Sequence, residues 1–339
     1  MPAPERLSKQ KSDTRGLAVP SLQVLLGVPF STLPVEIWMI KLRLYLAVVG
    51  CQFALAQAPM PPQPGQYPPL VATHSEDLAV ARSQFKTRLL RSGPPPAEWV
   101  DLNPPDGARQ IQFQSGSLGL AAWISRPDES PERRHSAVLF LHSGFDLGSE
   151  DWKLTKQFRD SGYVVMMPTL RGENGQHGVF TMDYNEVDDV IAAADFLRGL
   201  PYVRADHVYV VGYSVGGVLA LLAAEMYPHF RGASSISGLT DFASYLRYAR
   251  GAKENAPFDT SDTQEIELRS PLSYAASFKC PVRMFYGAEE KYFAISVPMT
   301  AEIARQHGID AQAVAVKGDH SSDLDESIRM TADFFNAKK

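Results

Sequence analysis

Cysteine is nearly absent: the 339 residues hold two. Cys51 falls in a leader-like segment, so Cys280 would stand alone in a processed chain and could form no intrachain disulfide. No Cys/His cluster with metal-ligand spacing occurs, and no metal is expected. A basic stripe is missing as well. The 33 Lys and Arg are interspersed with 38 Asp and Glu for a net charge of −5, so a nucleic-acid partner is not expected. There is no internal repeat, and no apolar run reaches the roughly 20 residues of a membrane span. What remains is a globular composition, 45% hydrophobic, long enough for one large domain or two small ones.

The informative stretch is Asp206-His-Val-Tyr-Val-Val-Gly-Tyr-Ser-Val-Gly-Gly217. Val208 to Val211 is a short run of β-formers that stops at Gly212. Val218 to Met226 is an apolar helix pattern ending near Pro228. Ser214 thus sits in G-x-S-x-G between a buried strand and a buried helix, the context of a nucleophile elbow. The turn needs small residues two before and two after the serine. It also leaves the Val215 N–H at a helix N-terminus, where a developing oxyanion is stabilised.

The chain before residue 59 does not read as fold. Met39-Ile-Lys-Leu-Arg43 is a short basic segment, Leu44 to Leu55 is mostly apolar, and Ala54-Leu-Ala56 has A-x-A spacing. Together these predict a secretory signal peptide if translation starts at Met39, with export to the periplasm or medium. Val48-Val-Gly-Cys51 resembles a lipobox and leaves a lipoprotein anchored at Cys51 as the alternative. Residues 59–107 read as a Pro-rich linker followed by a helix over Ser75–Arg91, capped by Ser75. The regular fold is expected over 108–339. A hairpin comes first (Arg109–Phe113, Leu118–Ile124). Short apolar strands then alternate with helices: Ala137–Leu141, helix Asp151–Ser161, Tyr163–Met167, helix Asp183–Arg198, the elbow, Gly232–Ile236, Val282–Tyr286, helix Val297–His307, Ala311–Val316 and helix Ser322–Asn336. This predicts a mostly parallel, doubly wound α/β sheet covered on both faces, with a small insertion after the sixth strand. Residues 237–281 are too few for a large lid, and Phe242, Tyr245, Leu246, Tyr248 and Phe258 are expected to form a small aromatic wall beside the serine.

A serine needs a base, and the base an orienting acid. Parallel strands bring their C-terminal ends to one edge. Two later strand ends carry candidates: Gly287-Ala-Glu-Glu290 and Lys317-Gly-Asp-His320. The order Ser214, Glu290, His320 is that of α/β-hydrolases. Glu289 and Asp241 compete for the acid position. The loop His142-Ser-Gly-Phe145 follows the strand expected beside the elbow and would give a second oxyanion N–H, from Ser143 or Phe145. His142 itself reads as a loop-fixing residue. Arg171 and Glu173 read either as an ion pair or as pocket residues, and Tyr213 and Arg171 are candidate substrate contacts.

Pro168-Thr-Leu-Arg-Gly-Glu-Asn-Gly175, Gly212-Tyr-Ser-Val-Gly-Gly217 and Arg269-Ser-Pro-Leu-Ser-Tyr274 together resemble the catalytic domain of the prolyl oligopeptidase family, which groups with dienelactone-hydrolase-like α/β-hydrolases. The resemblance runs from about Ala121 to the C-terminus. It implies a serine hydrolase that needs no cofactor and acts on a small ester or short peptide. It also implies an acid three residues after Gly287, the position of Glu290, though the family usually has Asp there and Glu is a departure. A carboxylesterase is the alternative within enzymes. A non-catalytic binding protein on the same fold is the alternative outside them.

Overall fold

In a computed structural model of the chain, residues 70–97, 101–125, 130 and 132–339 are described; the expected leader and the proline-rich stretch lie outside them. The β-branched and apolar runs form eight strands: β1 (Ala108–Ser115), β2 (Leu118–Ser125), β3 (His135–Leu141), β4 (Val164–Pro168), β5 (Val203–Tyr213), β6 (Gly232–Ile236), β7 (Val282–Gly287) and β8 (Ala311–Val316). Their spatial order is β1-β2-β4-β3-β5-β6-β7-β8. The β1–β2 hairpin and the β2–β4 pair are antiparallel; every later pairing is parallel. This is the expected α/β-hydrolase sheet.

Successive residues of the central strands face opposite layers, as the period of two requires. Val208 and Val210 pack in one hydrophobic cluster with the helices Glu186–Arg198 (α4), Val215–Met226 (α5) and Phe293–Gln306 (α9). Tyr209 and Val211 pack in the other with Trp152, Phe158 and the closing helix Leu324–Asn336 (α10). A strand stretch sealed on both faces must be apolar at every position, which is why Ala137–Leu141 of β3 and Val208–Val211 of β5 read as unbroken hydrophobic runs. Helix α5 is apolar all round for the same reason, save Glu225, whose pKa burial raises well above its ordinary value. Among the described residues no helix is long and apolar enough to cross a membrane.

Four expected helices differ in the structure; one of them, α9, begins four residues earlier, at Phe293 rather than Val297. The N-terminal one spans only Leu78–Ser83 (α1) and is capped by Asp77, not Ser75. Beyond it the Thr87 hydroxyl and the Arg88 amide both donate to the Glu265 carboxylate, and these tertiary bonds displace further helix. The Asp151–Ser161 element is two short helices, Ser149–Leu154 (α2) and Lys156–Asp160 (α3), parted at Thr155. Helix α4 starts at Glu186 because Met182 and Asp183 take left-handed backbone angles, φ 56° and 62°. The insertion after β6 holds three short helices that the sequence reading left unassigned: Phe242–Tyr248 (α6), Ala252–Asn255 (α7) and Thr263–Glu267 (α8).

Candidate active site

Strand β5 ends at Tyr213 and helix α5 opens at Val215, so Ser214 occupies the reversal between them. Its backbone is strained, with φ 56° and ψ −117°. Such strain costs about 1–3 kcal/mol and persists only where the surroundings over-determine it. The glycines on either side are part of that restraint. A Cβ at Gly212 would lie 2.0 Å from the Gly216 carbonyl oxygen, and one at Gly216 would lie 2.4 Å from that of Leu141. No side chain fits either position.

The loops after β7 and β8 converge on this serine. His320 Nε2 lies 3.0 Å from Ser214 Oγ, and His320 Nδ1 lies 2.6 Å from Glu290 Oε1. A carboxylate can only accept, so Nδ1 carries the proton toward Glu290 and Nε2 accepts from the serine hydroxyl. Glu290 is fixed at its other oxygen, which accepts from the Gly287 amide at 2.8 Å and from the Ser237 hydroxyl at 2.9 Å. The Glu290 hydrogen bond raises the His320 pKa above its ordinary value, against the opposing effect of burial.

The two rival acids lie elsewhere. Glu289 is exposed. Asp241 is fully buried and caps α6, accepting from the Ser244 amide and hydroxyl and from the Leu70 amide. Two neighbours of the site were not among the candidate residues. Ser237, with φ 48°, follows β6 as Ser214 follows β5; the strand-end rule applied to every strand finds it. Asp323, fully buried, lies 3.4 Å from the Ser237 hydroxyl, and burial pushes its pKa up. Its place three residues after His320 gave no hint.

The loop after β3 is held by two buried contacts. His142 donates from Nε2 to Glu173 at 3.0 Å and from Nδ1 to the Ser143 carbonyl at 3.1 Å. Both partners accept, so the ring is held as imidazolium. Burial is the largest single effect and opposes this, but the charge and hydrogen bond of Glu173, with Asp151 and the Ser143 carbonyl, together outweigh it, and the His142 pKa rises to about 9. The Ser143 amide and hydroxyl both donate to Asp151 Oδ1, at 3.1 and 2.9 Å. Ser143 is therefore corrected as an oxyanion donor: its N–H is already committed. Phe145 lines the cavity beside Ser214, and the Val215 amide heads α5, where no intrahelical partner exists.

Arg171 is a second correction. It does not line the cavity. Its amide, Nε and Nη2 all donate to the fully buried Asp189, at 2.7–2.9 Å, tying the loop after β4 to α4. It does not pair with Glu173 either. Tyr213 also faces away from the cavity; its hydroxyl donates to the His320 carbonyl at 2.8 Å and its ring packs against the imidazole.

A cavity of about 300 Å³ opens beside Ser214 and His320. Phe242, Tyr245 and Tyr248 of the insertion line it, as does Phe293 from α9. Leu246 and Phe258, expected in the same wall, do not line the cavity but pack behind it in one apolar cluster with Phe242 and Tyr245. Among the described residues no group of His, Cys, Asp and Glu could hold a metal ion.

Residues 151–306 match the model of the prolyl oligopeptidase family. The uncharacterized peptidase YtmA of Bacillus subtilis is 23% identical over 198 residues, covering 55% of this chain and 74% of that protein. The acylamino-acid-releasing enzyme of Mus musculus is 23% identical over 240 residues, covering 64% of this chain and 32% of the enzyme. The chain therefore spans about a third of that longer relative. A puromycin-hydrolyzing peptidase of Mycobacterium tuberculosis shares the fold, with a TM-score of 0.61 at 19% identity over 68% of this chain and 40% of that one. Residues 151–306 are thus a domain of the prolyl oligopeptidase family, and Ser214 and Glu290 lie within it.

Proposed function

We propose that the protein is a serine peptidase of the prolyl-oligopeptidase type, cleaving short peptides or aminoacyl amides through an acyl-enzyme. In this reading Ser214 attacks the scissile carbonyl carbon while His320 Nε2 takes its proton. Glu290 holds the imidazole in the required tautomer and stabilises the imidazolium. The Val215 and Phe145 amides receive the oxyanion. Collapse of the tetrahedral intermediate breaks the C–N bond as His320 returns the proton to the leaving amine. Water, deprotonated by the same imidazole, then releases the acyl group. One observation carries the reading: an unbroken hydrogen-bond chain from Ser214 through His320 to Glu290.

An ester would be cleaved by the same groups, which keeps a carboxylesterase as the competing assignment. A fluorophosphonate probe should label wild type and not Ser214→Ala. A panel of aminoacyl p-nitroanilides and matched p-nitrophenyl esters then decides between them. Turnover of esters alone would refute the peptidase assignment, and no labelling would refute the enzyme. We further propose export directed by the segment Met39–Ala56, with residues 108–339 as the catalytic domain.

A further inference from the structure

The cavity beside Ser214 is walled by aromatic rings, yet it holds one acid. Among the residues that line it, Asp183 is the sole carboxylic acid. It is 6% exposed, and among the described residues its carboxyl has no hydrogen-bond partner. Burying a carboxyl without a partner is costly, and the left-handed backbone of Met182 and Asp183 adds to that cost.

The carboxyl does nothing to hold its own segment in place. Arg269, fully buried, donates to the Thr181 and Met182 carbonyls at 2.9 and 2.7 Å while its Nη1 pairs with Glu265. Glu186 accepts from the Thr181 amide and hydroxyl and from the Tyr184 amide. The loop is thus fixed from both flanks by groups other than Asp183. Asp183 lines the cavity, together with Phe145, Tyr245 and Tyr248. A carboxylate among aromatic rings is the chemistry that recognises an organic cation, by charge-assisted hydrogen bonds and by cation–π attraction.

We propose that Asp183 is a specificity-determining residue that receives a cationic group, an ammonium or guanidinium, of the substrate residue lodged in the cavity. This rests on the serine-hydrolase reading above and names the substrate class. The cation has two sources, a basic side chain or a free α-ammonium group. The titration of Asp183 supplies a further handle. Burial raises its pKa, the Glu186 and Glu173 carboxylates add to the rise, Arg269 opposes it, and the value reaches about 8. Burial, and after it the charge of Asp183, raises the pKa of the Tyr245 phenol. Near neutral pH, a bound cation therefore displaces a proton from Asp183. KM for a permanently cationic substrate should fall as pH rises through about 8.

The test compares Nα-acetyl-lysyl with Nα-acetyl-norleucyl p-nitroanilide, and alanyl with Nα-acetyl-alanyl p-nitroanilide, in wild type and Asp183→Asn. Asn keeps the shape and tolerates the left-handed backbone. If the side chain supplies the cation, the lysyl-to-norleucyl ratio of kcat/KM should fall about ten- to hundredfold in the variant, the worth of one hydrogen bond to a charged group. If the α-ammonium supplies it, the alanyl-to-acetyl-alanyl ratio falls instead. Should the variant slow all four substrates alike, or none, Asp183 is structural and the proposal is wrong. Calorimetry on Ser214→Ala, using Nα-acetyl-lysinamide, Nα-acetyl-norleucinamide, alaninamide and Nα-acetyl-alaninamide, keeps the two readings apart. Cation-selective binding that Asp183→Asn removes supports the inference even in a protein that hydrolyses nothing. Turnover of neutral substrates with no charge preference in binding overturns the inference alone.

Discussion

Replacing Glu290 by Gln tests the orienting acid, and the structure sets the size of the effect. The carboxylate accepts at one oxygen from His320 Nδ1 and at the other from the Gly287 amide and the Ser237 hydroxyl. An amide has one oxygen and one NH₂ for these two places. With the oxygen toward His320, the NH₂ would meet the Gly287 N–H donor to donor, and a buried donor left unpaired costs about 1–3 kcal/mol. The flipped amide satisfies Gly287 and Ser237 but turns its NH₂ toward Nδ1. That forces Nδ1 to accept and moves the ring proton to Nε2, which then cannot take the proton of Ser214. The wrong tautomer costs up to ~10⁴ in turnover, about 5.5 kcal/mol. The nearby Asp323 does not replace it, because its Oδ2 reaches the Ser237 hydroxyl and not the imidazole. We therefore expect Glu290→Gln to lose about 10³–10⁴ in kcat. Glu289→Gln, on an exposed side chain, and Asp241→Asn, in a cap, should stay within about tenfold. The assay is kcat on the best substrate of the panel, with circular dichroism to verify folding. A folded Glu290→Gln enzyme that loses less than tenfold would refute the argument.

Catalysis needs neutral His320, whose pKa lies above 6.5, so kcat/KM should rise through an acid limb above that value. In Glu290→Gln the residual activity should show this limb moved downward, and a limb fixed in place would mean that Glu290 does not set it. Arg269→Ala should destabilise the fold by about 3–5 kcal/mol, because it strands Glu265 as a buried charge; a urea midpoint equal to wild type would contradict this. Gly216→Ala should lower the melting temperature and abolish probe labelling of Ser214, since its Cβ would meet two backbone oxygens within 2.5 Å; normal labelling would count against the close approach. N-terminal sequencing of exported protein should begin at Gln57, whereas a lipidated Cys51 at the N-terminus would support the lipoprotein reading instead.

The parts of this protein that were legible in the sequence are those governed by short-range pattern. The β5 run, the two glycines and the apolar α5 lie within residues 208–226, and each limits the others sterically. The meeting of Ser214, Glu290 and His320 was legible at long range for a different reason. Parallel strands end on one edge, so a residue just past a strand end is placed by topology alone. The same rule would have reached Ser237 had it been applied to β6. It gave no help where a side chain's partner lies off the sheet edge. Ser143 was a plausible donor until Asp151, eight residues on in α2, took its amide. Arg171 was a plausible pocket residue until Asp189 of α4 took three of its N–H groups. In both cases a buried carboxylate outcompeted the site, because leaving an acid without donors costs more than a loop gains by pointing elsewhere.

Asp183 is the converse case. The sequence reading placed it at the first turn of a helix, where an acid is unremarked. In the structure Glu186 fixes the preceding loop and the helix starts later, which leaves Asp183 in the cavity lining without a donor among the described residues. The arithmetic that withdrew Ser143 and Arg171 from the site leaves Asp183 in it. Of the buried acids around the site, Glu173, Asp189 and Glu290 are satisfied by several N–H or O–H groups, whereas Asp323 keeps one oxygen unpaired but does not line the cavity. An acid that faces a cavity with none is the one whose partner must arrive from outside.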